Sequence, residues 1–253
     1  MATGVLALLT GSVTRLAQFY AQSDKTYIAE ITLGSVSDSY DADGEIMHTG
    51  APLPETTQIY RALERFQGPF EQVPPPVSAK KIKGTPAYKL ARRHQPVELL
   101  PVTVEVKRLE VHSVAEARIC LTITCSAGTY IRAIAHDLGQ ALGCGAILSS
   151  LRRIQSGDFT IDQAKTLDEL SALARAGRLE DAIRPSSELL PHMPCAYVDR
   201  VVEAQIRQGR DFRTSPFTVS SGAPLVKAIS YAGEIIAIGE LKFPNTYHPA
   251  IVL

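Results

Sequence analysis

RICLTITCSAGTYIRAIAHDLG, residues 118–139, changes its hydrophobic period once, and that change decides the architecture around it. Up to Cys125 apolar and polar residues alternate, so Ile119, Leu121, Ile123 and Cys125 share one face of a strand and Cys120, Thr122 and Thr124 the other. After a turn of small residues, Ile131, Ile134, Leu138 and Leu142 recur at helical spacing, Thr129 is placed to cap the first turn, and Gly143 to stop the last. Arg132 therefore stands in the first helical turn, where the partial positive charge of the helix end disfavours a cation unless an anion faces it. A surface carboxylate would satisfy that demand, and so would the anion of a functional site.

Outward from this segment, strands and helices alternate irregularly. Val102, Val104 and Val106 occupy even positions and Leu109 and Val111 odd ones, which predicts a bulge near Lys107 in a strand that can pair with 118–125. A helix is expected over Ser12–Gln22, a strand over Tyr27–Leu33, and a helix opened by Pro54, with Ile59, Leu63 and Phe66 as its apolar stripe and Gly68 as its end. The acidic stretch SVSDSYDADGEI (35–46) invites a calcium reading, but its glycine and closing glutamate do not fall where a calcium loop needs them, so a turn is expected. Three prolines forbid helix at the start of 73–96, whose first half is expected to be loop, helix resumes from about Pro86, and Thr166 with Glu169 form a capping box before the helix Leu167–Ala176. RPSSELLPHMP (184–194) reads as a linker. Beyond it come a helix, Val202–Gln208, and strands around Val226–Ile229 and Ile235–Leu241, a segment small enough to be an accessory module.

At 253 residues, 45% hydrophobic and 21% charged, the chain suits one large domain, or a medium and a small one. Its formal net charge is zero, yet acids (Asp38, Asp41, Asp43, Glu45, Glu55, Glu64, Glu71) dominate 37–71, while Lys80, Lys81, Lys83, Lys89, Arg92, Arg93, Lys107 and Arg108 dominate 80–108. A basic block of this kind can follow a phosphate backbone or form a solvated face. The four cysteines (Cys120, Cys125, Cys144, Cys195) form no CxxC pair and have no histidines at ligand spacing, so neither zinc nor a disulfide framework is indicated and a reducing cytoplasm fits. No segment reaches transmembrane length, and the apolar run Val5–Leu9 is too short for a signal peptide. The chain contains no Gly-rich phosphate loop, nucleophile elbow, HExxH or triad-like cluster, which removes support for hydrolases, kinases and nicotinamide enzymes.

CSAGTYIRAIAHDLG followed by LGCGAILSSLRRIQSGDF closely resembles the bacterial tRNA pseudouridine synthase B family, and so do SDKTYIAEITLG, SVSDSYDADGEI, VPPPVSAKKIKGTPAYKLAR, IRQGRDF and IIAIGEL, in the same order along nearly the whole chain. The resemblance implies an α+β fold. It places a mixed, largely antiparallel sheet of the pseudouridine synthase type in a catalytic domain at 1–187, and a small PUA-like β domain for RNA binding at 188–253. It implies isomerisation of a T-loop uridine, with the T-arm of tRNA as partner, no metal, no cofactor and no membrane, in a cytoplasmic monomer. In that family an aspartate attacks the nucleoside, and the base detaches, rotates and rejoins through carbon. Arg132 matches the arginine that pairs with this aspartate. Tyr27 matches the tyrosine that stacks on the flipped base and is a candidate for removing its C5 proton. Tyr130 and Leu151 match residues contacting the base. Lys80, Lys81, Arg152 and Arg153 are expected near phosphates, together with Arg15 where the family favours lysine. Serines at 37 and 39 replace the usual threonines, and Val77 replaces a common aromatic.

The family's nucleophile lies in a His-x-Gly-x-Leu-Asp-Pro segment just before the equivalent of ATGVL, which here is residues 2–6. Residues 1–253 therefore lack that aspartate, none of Asp24, Asp38, Asp41 and Asp43 has an equivalent context, and the chain as written is expected not to turn over. Met1 is then an internal methionine, or the gene is shortened. The alternative reading is a non-catalytic tRNA-binding or tRNA-folding protein. A third is a fragment that folds poorly with an exposed sheet edge.

Overall fold

A computed structural model of the chain describes residues 2–78, 80–82, 84–91, 99–215 and 222–253. In chain order its strands are β1 (Ala2–Gly4), β2 (Lys25–Leu33), β3 (Ser35–Ser37), β4 (Ile46–His48), β5 (Gly68–Gln72), β6 (Lys81–Ile82), β7 (Thr85–Pro86), β8 (Val102–Ala115), β9 (Arg118–Cys125), β10 (Ala146–Ser156), β11 (Phe159–Thr160), β12 (Cys195–Tyr197), β13 (Phe212–Arg213), β14 (Leu225–Ile229), β15 (Ile235–Phe243) and β16 (Thr246–Val252). Its α-helices are α1 (Ala17–Ala21), α2 (Thr56–Glu64), α3 (Ala87–Ala91), α4 (Ile131–Leu142), α5 (Leu167–Arg175) and α6 (Arg200–Arg207). The chain divides into two compact units, residues 1–6 with 20–162, and 7–19 with 163–253.

The first unit carries a seven-stranded sheet in the order β1-β10-β2-β9-β8-β5, with β11 on β10. The β1–β10 pair is parallel and the other pairs are antiparallel, so the sheet is mixed and largely antiparallel as expected. Burial along β9 alternates as its sequence predicts, with Ile119, Leu121, Ile123 and Cys125 buried. That face packs with Ile31 and Leu33 of β2, Ile59 and Leu63 of α2, and Ile134 and Leu138 of α4. Each such aliphatic side chain contributes roughly 1.5–3 kcal/mol by leaving water. β8 and β9 pair with a register shift between Val106 and Arg108, where the valine pattern changes parity.

Helix α4 ends at Gly143, whose φ of 72° is the left-handed stop the glycine predicts. It lies flush on the start of β10, because a Cβ at Gly139 would stand 2.0 Å from the Ala146 backbone nitrogen.

Several sequence expectations change. Ser12–Gln22 is a 3-10 turn, Gly11–Leu16, followed by the short α1, and the Pro54 helix begins only at Thr56 behind a capping box of Glu55 and Gln58. β5 and β10 were not legible. β5 opens with Gly-Pro, which suits the edge strand it is. β10 carries register shifts between Leu148 and Ser150 and between Arg153 and Gln155, and these destroy its period of two.

The second unit builds a five-stranded sheet in the order β12-β14-β15-β16-β13 around Ile206, Phe212, Val226, Ile236 and Tyr247. Pro249 sits inside β16, where β13 reaches only Tyr247 and Thr246, so its missing N–H is tolerated. The 184–194 stretch is packed against this sheet. Leu189 is buried, the buried Lys227 donates Nζ to Ser187 O (3.0 Å) and Leu189 O (2.7 Å), and Ser186 Oγ accepts from Ile235 N (3.2 Å). The division by contacts falls at 162/163, whereas the resemblance places the boundary at 187/188.

Gly139→Ala should force α4 away from β10 and lower unfolding free energy by roughly 1–3 kcal/mol in a urea titration. Cys125 offers a pH test: burial pushes its thiol from 9.0 to about 11, with the Thr129 hydrogen bond opposing and the Asp24 charge assisting. A raised pKa stabilises the fold fully below pH 9, and that stabilisation is lost as pH climbs from 9 to about 11. Replacing Cys125 with serine should remove this alkaline component from the stability profile. In the native protein at pH 8, Cys125 should react with a thiol reagent more slowly than the half-buried Cys120 and Cys195.

Candidate active site

β2, β10, the start of α4 and the 35–46 loop meet around a cleft of about 260 Å³ lined by Tyr27, Asp41, Tyr130, Arg132 and Leu151, with Ala2 at its margin. Its size is just below the roughly 300–1,000 Å³ of pockets for drug-sized ligands, so it suits a single small ring. The sheet register builds the apolar wall. Tyr27 lies opposite Ile123 and Arg153, and Leu151 lies between Ala2 and Ala29. Burial is the largest influence on the Tyr27 phenol and raises its pKa, the Cys125 side chain adds to this, and the Arg153 guanidinium opposes it. Tyr27 is therefore a neutral phenol near neutral pH.

The start of α4 is not capped by Thr129, whose hydroxyl instead donates to Ser126 O at 2.9 Å. Tyr130 holds the N-cap position without a side-chain cap. The fully buried Gln72 at the end of β5 clamps its backbone, accepting from Tyr130 N at 2.8 Å and donating to Tyr130 O at 3.1 Å. This amide ties the backbone of the N-cap residue Tyr130 to the edge of the sheet.

Arg132 finds its anion within the chain. Its Nη1 donates to Asp41 Oδ2 at 2.8 Å and lies 3.4 Å from Ser39 O, while Nη2 donates to Val77 O. The two side chains are only 22% and 18% exposed, so this is a charge-assisted contact shielded from solvent. Asp41 Oδ1 accepts from Ser39 Oγ at 2.6 Å and Asp43 N at 3.2 Å, and Ser37 Oγ donates to Asp41 O at 2.7 Å. The carboxylate that faces Arg132 in this structure is that of Asp41, a residue to which the sequence reading gave no site role. Ser37, Ser39 and Asp41 recur at every second position, and that spacing was the available signal. Gln72 gave none, since a glutamine in a short strand is ordinary. Within the acidic loop Asp38 Oδ1 accepts from Glu45 N at 2.9 Å, and no group of three metal-type ligands is found among the described residues.

The residues expected near phosphate are scattered. Arg152 and Arg153 point to opposite faces of β10, as successive strand residues must. Arg153 turns to the Tyr27 side and donates Nε to Val5 O at 2.7 Å, whereas Arg152 is exposed. Lys80 is exposed, and the Lys81 side chain lies outside the described part, as do Lys83, Arg92 and Arg93. Lys107 and Arg108 are paired with Asp24 (2.7 Å) and Glu110 (2.6 Å). Arg15 belongs to the second unit, where its guanidinium donates to Val252 O.

Two family models match the chain: TruB family pseudouridylate synthase (N terminal domain) over residues 1–131, and tRNA pseudouridylate synthase B C-terminal domain over 132–191. Among curated relatives, tRNA pseudouridine synthase B of Solibacter usitatus is 48% identical over 254 residues, covering 100% of this chain and 87% of its own. The proteins of that name from Pseudomonas putida (41%, covering 96% and 79%) and Francisella philomiragia (39%, covering 83% and 68%) are also similar. In fold, the chain is similar to one from an H/ACA RNP bound to a substrate RNA containing 2'-deoxyuridine (TM-score 0.70, 22% identity, covering 100% and 72%). It is likewise similar to one from a Cbf5-Nop10-Gar1 complex (TM-score 0.69, 22% identity, covering 98% and 71%). With family models spanning residues 1–191 and a relative 48% identical along the whole chain, the protein belongs to the TruB family of pseudouridylate synthases.

Proposed function

We propose that this chain forms the base-binding and carboxylate-orienting part of an enzyme that converts the T-loop uridine of tRNA to pseudouridine. The observation that carries the reading is the convergence of Tyr27, Tyr130, Leu151 and Arg132 on one cleft sized for a single ring. A uridine extruded from its stack would lay its face on Tyr27, with Tyr130 and Leu151 closing the pocket. Arg132 would hold the attacking carboxylate ionised and directed at the sugar, while the base detaches, turns and rejoins through carbon. No metal or cofactor takes part in the proposal. It includes a PUA-type RNA-binding role for 188–253, a monomeric state and a cytoplasmic location, where tRNA is the substrate. Among the described residues no helix is long and apolar enough to cross a membrane.

The attacking carboxylate is assigned to the family's Gly-x-Leu-Asp-Pro aspartate, which residues 1–253 do not contain. Within them Asp41 lines the cleft, but both its oxygens are engaged. Purified 1–253 should form no pseudouridine in a tRNA T-arm. The same chain extended at its N-terminus by a relative's segment carrying Gly-x-Leu-Asp-Pro should form it, and Arg132→Lys should abolish that activity. Turnover by 1–253 that disappears in Asp41→Asn would move the attacking role to Asp41 and overturn the assignment.

RNA binding without turnover is the second reading, favoured by the exposure of Lys80 and Arg152, neither of which has an ion-pair partner among the described residues. Affinity for tRNA should fall log-linearly with salt, and Lys80→Ala and Arg152→Ala should each reduce the slope by about 0.7–0.9. An affinity insensitive to salt would count against any backbone contact.

A further inference from the structure

Asp41 reaches Arg132 from a loop held in an uncommon shape. Tyr40, the residue before it, has φ of 68°, a left-handed conformation that an L-residue with a side chain leaves unless something holds it there. Its ring lies on the His136 imidazole with centroids 3.8 Å apart and planes 10° from parallel. His136 stands one helical turn after Arg132, on the same face of α4. A single helix face thus grips both members of the dipeptide: Arg132 takes the carboxylate of Asp41 and His136 seats the ring of Tyr40. The other side of the loop is tied to β10, with Leu148 N donating to Tyr40 O at 3.0 Å and Ala42 N donating to Leu148 O at 3.0 Å.

We propose that the Tyr40–His136 ring stack is the positioning element that fixes Asp41 on Arg132 and thereby sets the direction in which Arg132 presents its guanidinium to the cleft. The ion pair cannot do this alone, because Coulomb attraction between a carboxylate and a guanidinium depends weakly on rotation of the loop, whereas two planar rings in contact fix that rotation. The bonds to Leu148 hold the loop backbone on β10, and the ring adds the contact to α4 that opposes relaxation of the Tyr40 φ to the common region. Burial, the largest influence on His136, lowers its pKa, with Asp137 opposing. The stack is thus formed by an uncharged imidazole near neutral pH, and the tyrosine phenol beside it is likewise held neutral by burial and by Asp137. Neither ring is among the residues lining the cleft, so both act through Asp41 and Arg132.

The catalytic arm of the test rests on the pseudouridylate synthase reading, and the structural arm does not. In purified 1–253, hydrogen exchange of the Arg132 Nη1 protons, which donate to Asp41 and are assigned by their loss in Arg132→Lys, reports the pair directly. It should be slow in the native chain and in His136→Phe, which keeps a flat ring, and about tenfold faster in His136→Ala. Tyr40→Gly removes the ring and the backbone penalty together, so it should fold and should match His136→Ala. In the N-terminally extended enzyme, His136→Ala and Tyr40→Gly should slow single-turnover isomerisation by about 10- to 100-fold, as misplacement of a reacting group does. Their tRNA affinity should stay within about twofold of the native enzyme, and His136→Phe should recover the rate. Wild-type exchange and rate in Tyr40→Gly, or equal damage from His136→Phe and His136→Ala, would overturn the proposal. So would a loss of thermal stability in His136→Ala with the Arg132 signal unchanged, which would reduce the stack to packing. An extended enzyme that forms no pseudouridine would defeat the functional reading and leave the exchange measurement to decide this one.

Discussion

A cation in the first turn of a helix, shielded from solvent, is the constraint around which the first unit is arranged. Arg132 faces the positive end of α4, an unfavourable placement of roughly 0.3–1 kcal/mol if left alone. Its demand for negative charge is met from two distant places in the sequence: the carboxylate of Asp41 with the Ser39 carbonyl, and the carbonyl of Val77. The arginine therefore fastens the acidic loop and the proline-rich segment to the helix that carries it. Removing either member of such a shielded pair leaves the other uncompensated, a loss of roughly 3–5 kcal/mol when burial is complete and less here. Gln72 fixes the backbone of the helix start by a second, uncharged means, while Asp41 and Val77 take the Arg132 side chain.

Legibility of the fold followed the regularity of each element. β9 and α4 were readable because their outward faces differ sharply from their buried ones, and the capping box of Thr166 and Glu169 was readable because it is local. The bulge in β8 could be placed because valines change parity across it. β10 is the longest element that was missed, and its two register shifts explain why: each inserts a residue that moves the following side chains to the other face. The 184–194 stretch was misread for a different reason. Its prolines suggested a linker, but it holds a short 3-10 turn, Ser186–Glu188, and its docking depends on Lys227 reaching two carbonyls from another strand.

The site was half legible. Helix electrostatics alone showed that Arg132 needed an anion, because that argument uses only neighbouring residues. Which anion answers it depends on a loop some ninety residues away, and a local pattern cannot carry that information. Tyr27, Tyr130 and Leu151 are ordinary core types, so only the family resemblance singled them out, and the structure brings all three to the cleft. The pair Arg152 and Arg153 shows the opposite limit. Adjacent in sequence, they suggest a joint phosphate clamp, yet the strand sends one to the cleft side and the other to solvent.

The cleft is built from two kinds of material, and the difference bears on how it works. Tyr27 and Leu151 are fixed by strands hydrogen-bonded on both sides, where β1, β10, β2 and β9 lock each position by its register. Stacking a flat ring needs such constancy, since contact energy falls steeply with small gaps. Arg132 and Asp41 are fixed by a helix end and a short loop, whose few hydrogen bonds permit small adjustments. The cleft thus sets a rigid apolar wall beside a more adjustable polar one. The ring stack behind Asp41 restrains that adjustment in the arrangement we propose.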